Sequence, residues 1–140
     1  MKRICLALVL LLCSFAHAEQ KQSFGPYDAH YIIIPTAMLK PTIAAQYGIV
    51  RSPTQALVNI SLIERDGLPL PTEVTGSYRN LLEQTFPLTF REVREGEAIY
   101  YLATFRYTDR DVLRFTFEVK LPDGALGTIE HQQRMHREER

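Results

Sequence analysis

Apolar and polar side chains alternate strictly along two segments in the second half of the chain. In residues 99–107 and 113–121, every odd-numbered position carries an apolar or aromatic side chain, and the positions between them are more polar. A period of two residues is typical of a half-buried antiparallel strand. The polar residues 108–111 separate the two segments and are typical of a turn. The pattern therefore predicts a β-hairpin whose odd-numbered positions face the core.

The predicted hairpin fixes which side chains lie opposite each other. Phe105 is expected across from Phe115 or Leu113, because a slip of one residue would move every aromatic side chain of one strand to the wrong face. In that register Arg106 lies directly opposite Arg114 on the polar face. Like charges that face each other across a sheet destabilise it, by about 0.2–1 kcal/mol.

Short apolar segments bounded by turn residues recur through the rest of the chain and predict further strands. These strands are residues 27–34, 56–65, 72–82, 85–93 and, more weakly, 128–135. One short helix is predicted near residues 41–47, because Pro41 suits a first helical position and Gly48 suits a C-terminal cap. The predicted fold is all-β: an immunoglobulin-like antiparallel β-sandwich of about seven strands with this one helix.

The N-terminus has the three-part layout of a secretory signal. Lys2 and Arg3 precede an apolar run at residues 4–12, and the Ala-His-Ala motif at residues 16–18 suits signal peptidase. We therefore expect a cleaved signal peptide at residues 1–18, a periplasmic location, and a single β-sandwich domain at residues 19–140 whose tail, 136–140, is frayed.

The N-terminus has two other interpretations. Residues 4–12 could form a buried N-terminal helix, although the run is too short to span a bilayer, which takes about 20 residues. A lipoprotein would be acylated on Cys13, but the preceding Leu12 is larger than the small residue expected there.

The charge and cysteine content of the expected mature chain argue against several kinds of partner and site. The whole chain has 16 basic and 16 acidic residues, and removal of Lys2 and Arg3 leaves 14 against 16. This balance disfavours nucleic acid as a partner. Both cysteines, Cys5 and Cys13, lie in the signal segment, so no disulfide or thiolate metal site is predicted. We expect no cofactor and, after cleavage, no permanent membrane anchor.

Several stretches of the mature chain are similar to one family. They are EQKQ at 19–22, FG at 24–25, residues 27–31, the helix at 41–48, LVNIS at 57–61, FREVREG at 90–96, IYYLA at 99–103 and LRF at 113–115. The chain resembles a family of small exported gamma-proteobacterial proteins, the domain of unknown function family 4426. The resemblance implies a periplasmic single-domain β protein and brings no activity and no catalytic residues with it.

Asp28 and His30 are the strongest candidates for chemistry. They share one face of a predicted strand, at a spacing of two residues. The pair could supply two metal ligands or an acid–base couple. The competing interpretation is a solvated Asp–His contact at a strand edge, because no third ligand is evident. We therefore predict no metal site and no catalytic residue.

Tyr100, Arg106 and Arg114 are the candidates for binding. They lie on the polar side of the two best strands, and tyrosine and arginine are enriched at protein interfaces. The competing interpretation is a plain solvated sheet face.

These observations predict a non-enzymatic periplasmic binding or interaction module that engages an envelope protein or a cell-wall component through a sheet face or edge. The alternative is a small-ligand binding protein or a hydrolase with a pocket near Asp28 and His30. A structural role within a larger envelope complex is a third interpretation.

Overall fold

The structure is a computed structural model, and it describes residues 20–138. Its ten strands lie in two antiparallel sheets. The strands are β1 (Gln20–Phe24), β2 (Tyr27–Pro35), β3 (Gln55–Glu64), β4 (Pro69–Leu70), β5 (Val74–Arg79), β6 (Thr85–Leu88), β7 (Arg91–Glu95), β8 (Ala98–Arg106), β9 (Val112–Lys120) and β10 (Leu126–Arg134). The predicted all-β sandwich is confirmed, with more strands than the seven or so expected. The predicted signal peptide, residues 1–18, lies outside the described residues.

The two sheets differ in size and order. The larger, sheet A, has the order β1-β2-β3-β8-β7, with β4 also paired to β3, and the smaller, sheet B, has the order β10-β9-β5-β6. The core between them is formed by the odd-numbered side chains of β8 and β9, as predicted, together with those of β2 and even-numbered ones of β3. Phe115 and Phe117 are the largest fully buried side chains at its centre.

The predicted hairpin between residues 99–107 and 113–121 is wrong. β8 pairs with β3 and β7 in sheet A, whereas β9 pairs with β10 and β5 in sheet B. Phe105 and Phe115 do meet, with ring centroids 5.4 Å apart, but they meet across the core between the sheets. In register, Phe105 lies opposite Ala56, and Phe115 lies opposite Tyr78.

The connection at residues 107–111 explains this outcome. The amide of Arg110 donates to the carbonyl of Met135, and the amide of Met135 donates to the carbonyl of Asp111. The connection therefore pairs with the chain that follows β10, and it crosses from one sheet to the other. Alternation fixes which face of a strand is buried, but two strands with the same pattern can face each other across a core instead of pairing edge to edge.

The predicted strand at residues 85–93 is two strands in different sheets. β6 belongs to sheet B and β7 to sheet A, and the chain crosses between them at Thr89 and Phe90. Pro87 lies in β6, which is an edge strand, where a residue without an amide hydrogen is tolerated. Phe90 packs edge-on against Phe117, with centroids 6.2 Å apart, and so anchors the crossing.

The connection between β2 and β3, residues 36–54, lies over the outer face of sheet A, and we call it the strap. It contains a 3₁₀ turn (Thr36–Met38) and the short helix α1 (Pro41–Gln46). Pro41 occupies the first turn of α1 as predicted, and Gly48 has the positive φ of 67° expected of a C-terminal cap. Ala44 and Ile49 of the strap pack on Leu57 and Leu102 in a second, smaller apolar cluster.

The last described residues, 136–138, are hydrogen-bonded to the sandwich. The amide of Arg137 donates to Asp109 Oδ1 at 2.8 Å, and the amide of Glu138 donates to the carbonyl of Pro53 at 3.0 Å. Residues 136–138 of the tail expected to fray are therefore held by hydrogen bonds, and the rest of that tail lies outside the described residues.

Candidate functional site: a cleft beneath the strap

A cleft of about 330 Å³ lies between the strap and the outer face of sheet A. Its floor consists of aliphatic side chains of β2, β3 and β8, which are Ile32, Ile34, Leu57 and Leu102. Its wall is formed by Leu39, Ile43 and Ile49 of the strap, and Tyr47, Asn59 and Tyr100 complete the lining. The cleft is therefore predominantly apolar and carries no charged side chain in its lining.

Asn59 is the polar exception in the floor. It lies in β3, opposite Ile32 of β2 and Leu102 of β8. Its Oδ1 atom is fully buried and has no hydrogen-bond partner among the residues that the structure describes. A buried acceptor without a partner costs about 1–3 kcal/mol, and such atoms are rare in folded proteins.

The strap is fastened at its base. Thr36 Oγ1 accepts from the amide of Ser52 at 2.9 Å and donates to the Ser52 carbonyl at 3.3 Å. Arg51 Nη2 donates to the carbonyl of Ala37 at 2.8 Å. These bonds join the two ends of the strap to each other, close to where it leaves β2 and enters β3.

The far end of the strap is fastened to β7. The hydroxyl of Tyr47 donates to Glu95 Oε2, and Gln46 Nε2 donates to the same oxygen at 3.1 Å. Arg91 also donates to the carbonyl of Tyr47. The hydrogen bond to Glu95 raises the pKa of Tyr47 to about 12, so this phenol stays protonated at physiological pH. The strap is therefore bonded to β7 of sheet A on the far side of the cleft.

Asp28 and His30 share the outer face of β2, as their spacing predicts, but Asp28 already has partners. Ser23 Oγ donates to its carboxylate at 2.7 Å, and the nearest nitrogens of Lys21 and Arg65 each lie 4.0 Å away. The Ser23 hydrogen bond is the main cause that lowers the pKa of Asp28. Neither Asp28 nor His30 lines the cleft, although His30 is only two residues from Ile32 in the floor. A ligand-binding or acid–base role for the pair stays a prediction.

Tyr100, Arg106 and Arg114 do not form one surface. Tyr100 lines the cleft under the strap, half-buried. Arg106 is exposed at the end of β8, opposite Gln55 of β3. Arg114 is on sheet B, opposite Gln132 of β10 and Arg79 of β5. The predicted pair of Arg106 and Arg114 is therefore wrong, since it depended on the hairpin. A binding role for each residue separately stays a prediction.

Arg114 does lie opposite a like charge, but that charge is Arg79 of β5 and not Arg106. We expect Arg114→Glu to stabilise the fold by about 0.2–1 kcal/mol, since a repulsive cross-strand pair becomes attractive. Urea denaturation measures this change. The control is Arg106→Glu, which faces uncharged Gln55 and should change stability by less than about 0.5 kcal/mol. A lower stability of Arg114→Glu than of the parent would contradict the register.

Neither a cluster of metal-binding side chains nor a helix that could span a membrane occurs in residues 20–138. No three side chains of His, Asp or Glu are grouped there so that they could hold a metal ion. No helix of this part of the chain is both long and apolar enough to span a bilayer.

The cleft could have been suspected from one feature of the sequence. Ile32, Ile33 and Ile34 are consecutive, so both faces of this part of β2 are apolar, and a strand with two apolar faces is covered on both sides. Asn59 gives no such signal, because an asparagine in an alternating strand is ordinarily an outward polar residue. Its place in the cleft depends on where the strap lies, which no local pattern specifies.

Comparison with known proteins places the chain in a family. A family model described as Domain of unknown function (DUF4426) matches residues 21–138. The crystal structure of a DUF4426 family protein from Pseudomonas aeruginosa PAO1 has 35% sequence identity and a TM-score of 0.78, with 89% of this chain and 99% of that chain covered.

More distant structures share the fold. FetP of uropathogenic Escherichia coli strain F11 has 8% identity and a TM-score of 0.61, covering 89% of this chain and 100% of its own. A copper-bound variant of FetP has 9% identity and a TM-score of 0.56, covering 88% and 93%. The search of curated proteins gave no match. The resemblance drawn from the sequence is thus confirmed, and the chain belongs to the DUF4426 family.

Proposed function

We propose that this protein is a non-enzymatic binding module of the periplasm that holds a component of the cell envelope in the cleft beneath the strap. One observation carries the proposal: a predominantly apolar cleft of about 330 Å³ lies between the strap and the outer face of sheet A, and Tyr47, Asn59 and Tyr100 are the polar side chains of its lining. Apolar clefts with a few converging polar groups are the usual form of a binding site.

The chemistry of the lining favours binding over catalysis. None of the side chains that line the cleft carries a carboxylate, an imidazole or an amine. General acid–base catalysis works best with a group whose pKa is near the operating pH. The Tyr47 phenol has a pKa of about 12 and is bonded to Glu95, so it does not supply such a group.

The N-terminal sequence supports the periplasmic location. Two basic residues, an apolar run at residues 4–12 and the small-x-small motif at residues 16–18 are the parts of a cleavable secretory signal. A test with the intact gene therefore examines export and binding in the same cells.

A photo-crosslinking amino acid placed at residue 100 tests the proposal, because Tyr100 lines the cleft and is only half-buried. In irradiated intact cells we expect a discrete adduct on protein from the periplasmic fraction, which mass spectrometry would identify. The matched control carries the same amino acid at Thr128, an exposed residue on sheet B, and should form no such adduct.

A third variant tests whether the adduct at residue 100 depends on access to the cleft. Ile43 is 38% exposed at the mouth of the cleft, so Ile43→Trp should narrow the entrance without disturbing the core between the sheets. Combined with the crosslinker at residue 100, it should remove the adduct. Equal adducts at residues 100 and 128, or an adduct that persists unchanged with Ile43→Trp, would overturn the proposal.

A further inference from the structure

We infer that the protein has a second binding site, at one end of the sandwich, and that this site takes an uncharged mono- or disaccharide. The site is a hollow of about 600 Å³ whose lining includes Tyr78, Phe86 and Arg106. It is larger than the cleft beneath the strap, and the two share no lining residue. The second site is therefore independent of the proposed function.

The hollow lies where strands of the two sheets end close to each other. Arg106 is the last residue of β8 in sheet A, and Tyr78 is next to the last residue of β5 in sheet B. Phe86 lies in β6, the edge strand of sheet B. Small-molecule sites usually have volumes of about 300–1,000 Å³, so the hollow has room for a sugar of this size.

Phe86 gives the hollow an accessible aromatic face. Its ring is stacked on that of Tyr78, with centroids 5.2 Å apart and 24° between the planes. Tyr78 packs in turn on the core rings of Phe105 and Phe115, at 4.9 and 5.9 Å, so the stack is backed by the core. Phe86 is 39% exposed and is the only aromatic residue among the exposed large apolar side chains of residues 20–138. The C–H face of a sugar ring would cover this surface and remove it from water.

The polar part of the lining has two positive and two negative side chains. They are Arg106, Arg137, Asp109 and Asp111. In the described part of the chain, no ion pair within 4.0 Å joins any of these four residues to an opposite charge. Equal numbers of the two signs favour neither an anion nor a cation. Donors beside acceptors suit hydroxyl groups, because each hydroxyl both donates and accepts.

The two carboxylates are held in place and still have a free oxygen. Asp109 Oδ1 accepts from the amide of Arg137 at 2.8 Å, and Asp111 Oδ2 accepts from the amide of Thr108 at 2.9 Å. The other oxygen of each carboxylate, and the guanidinium of exposed Arg106, have no hydrogen-bond partner among the described residues. A sugar can therefore bind these groups without first breaking a bond within the protein, and preorganised groups of this kind lower the cost of binding.

The test uses the protein purified from cells that express the full chain, with its backbone amides followed by NMR. Three uncharged disaccharides, maltose, cellobiose and N,N′-diacetylchitobiose, are titrated separately, and inorganic phosphate is the charged probe. We expect at least one disaccharide to give saturable shifts at amides of the hollow, including those of Phe86 and Leu113. Inorganic phosphate should give no saturable shift there.

Two substitutions test the aromatic and the polar part of the hollow separately, and the amide spectrum checks the fold of each variant. Phe86→Leu keeps an apolar side chain but removes the ring face, so it should weaken disaccharide binding about two- to tenfold. Arg106→Met keeps the length of the side chain but removes its donors, so it should weaken binding about tenfold. The matched control is Arg134→Met, which should bind as the parent does, because Arg134 is exposed at the end of β10 and does not line the hollow.

A loss of affinity confined to Phe86→Leu and Arg106→Met supports the inference. The absence of saturable shifts at the hollow with all three disaccharides overturns it, and this result requires no variant. Shifts confined to the cleft beneath the strap, or phosphate binding in the hollow more tightly than every disaccharide, also overturn it. Equal losses in Arg106→Met and Arg134→Met would mean that general charge and not the hollow governs binding, and would overturn it as well. The residue-100 adduct is formed in a different place, so the proposed function stands or falls separately.

Discussion

Phe115→Ala is expected to lower the free energy of unfolding by about 3–5 kcal/mol. Phe115 is 1% exposed, and its ring lies 5.4 Å from that of Phe105 and 5.8 Å from that of Phe117. Both sheets contribute to this contact, so the cavity left by alanine cannot close by the movement of one side chain. Urea denaturation of the purified protein measures the change.

The control for Phe115→Ala is Leu82→Ala in the turn between β5 and β6. Leu82 is 80% exposed, so its truncation should change stability by no more than about 0.5 kcal/mol. A loss below about 1.5 kcal/mol for Phe115→Ala would mean that the two sheets are less tightly packed at this point than the ring distances indicate.

Gly76→Ala is expected to destabilise the protein by about 1–3 kcal/mol, although alanine is ordinarily better than glycine in a strand. A Cβ atom at Gly76 would lie 2.9 Å from Phe117 Cδ1 and 3.0 Å from the carbonyl oxygen of Thr116. Phe117 is fully buried and the carbonyl belongs to the neighbouring strand β9, so neither can withdraw without moving the core. The same denaturation experiment measures this cost.

Gly127→Ala is the matched control for Gly76→Ala. A Cβ atom at Gly127 would also have a contact of 2.9 Å, but its close neighbours are atoms of the Phe24 ring. Phe24 is a partly buried residue at the end of the edge strand β1, so its ring can shift. The cost at Gly127 should therefore be clearly smaller, and equal costs at both glycines would contradict this account.

The sequence is sufficient to predict which face of each strand is buried, but not which strands pair with each other. Alternation identified the buried positions of β8 and β9, because burial of one face is a local property with a period of two residues. Pairing is a property of the whole fold. Residues 107–111 can close a hairpin or cross between sheets, and the hydrogen bonds to Met135 that decide between these come from a distant part of the chain.

The candidate site could be predicted from the sequence only in part, for a related reason. The residue type of Tyr100 and its place on the less apolar face of its strand indicate a binding residue, and Tyr100 does line the cleft. The grouping of Arg106 and Arg114 with Tyr100 depends on a hairpin register that does not occur. Asn59 also lines the cleft, but an asparagine in an alternating strand carries no local signal that a distant segment covers it.

The strand order has a consequence for the speed of folding. The central pairing of sheet A joins Val58 to Ala103, and the central pairing of sheet B joins Val74 to Val119, so in each case the partners are 45 residues apart. Folds dominated by such distant pairings form in milliseconds to seconds, far more slowly than helical bundles. The central strand pair of sheet A cannot form until β8 is present, and that of sheet B cannot form until β9 is present. For a chain exported as proposed above, this delay keeps the leading segments from completing the sandwich before the last strands have crossed the membrane.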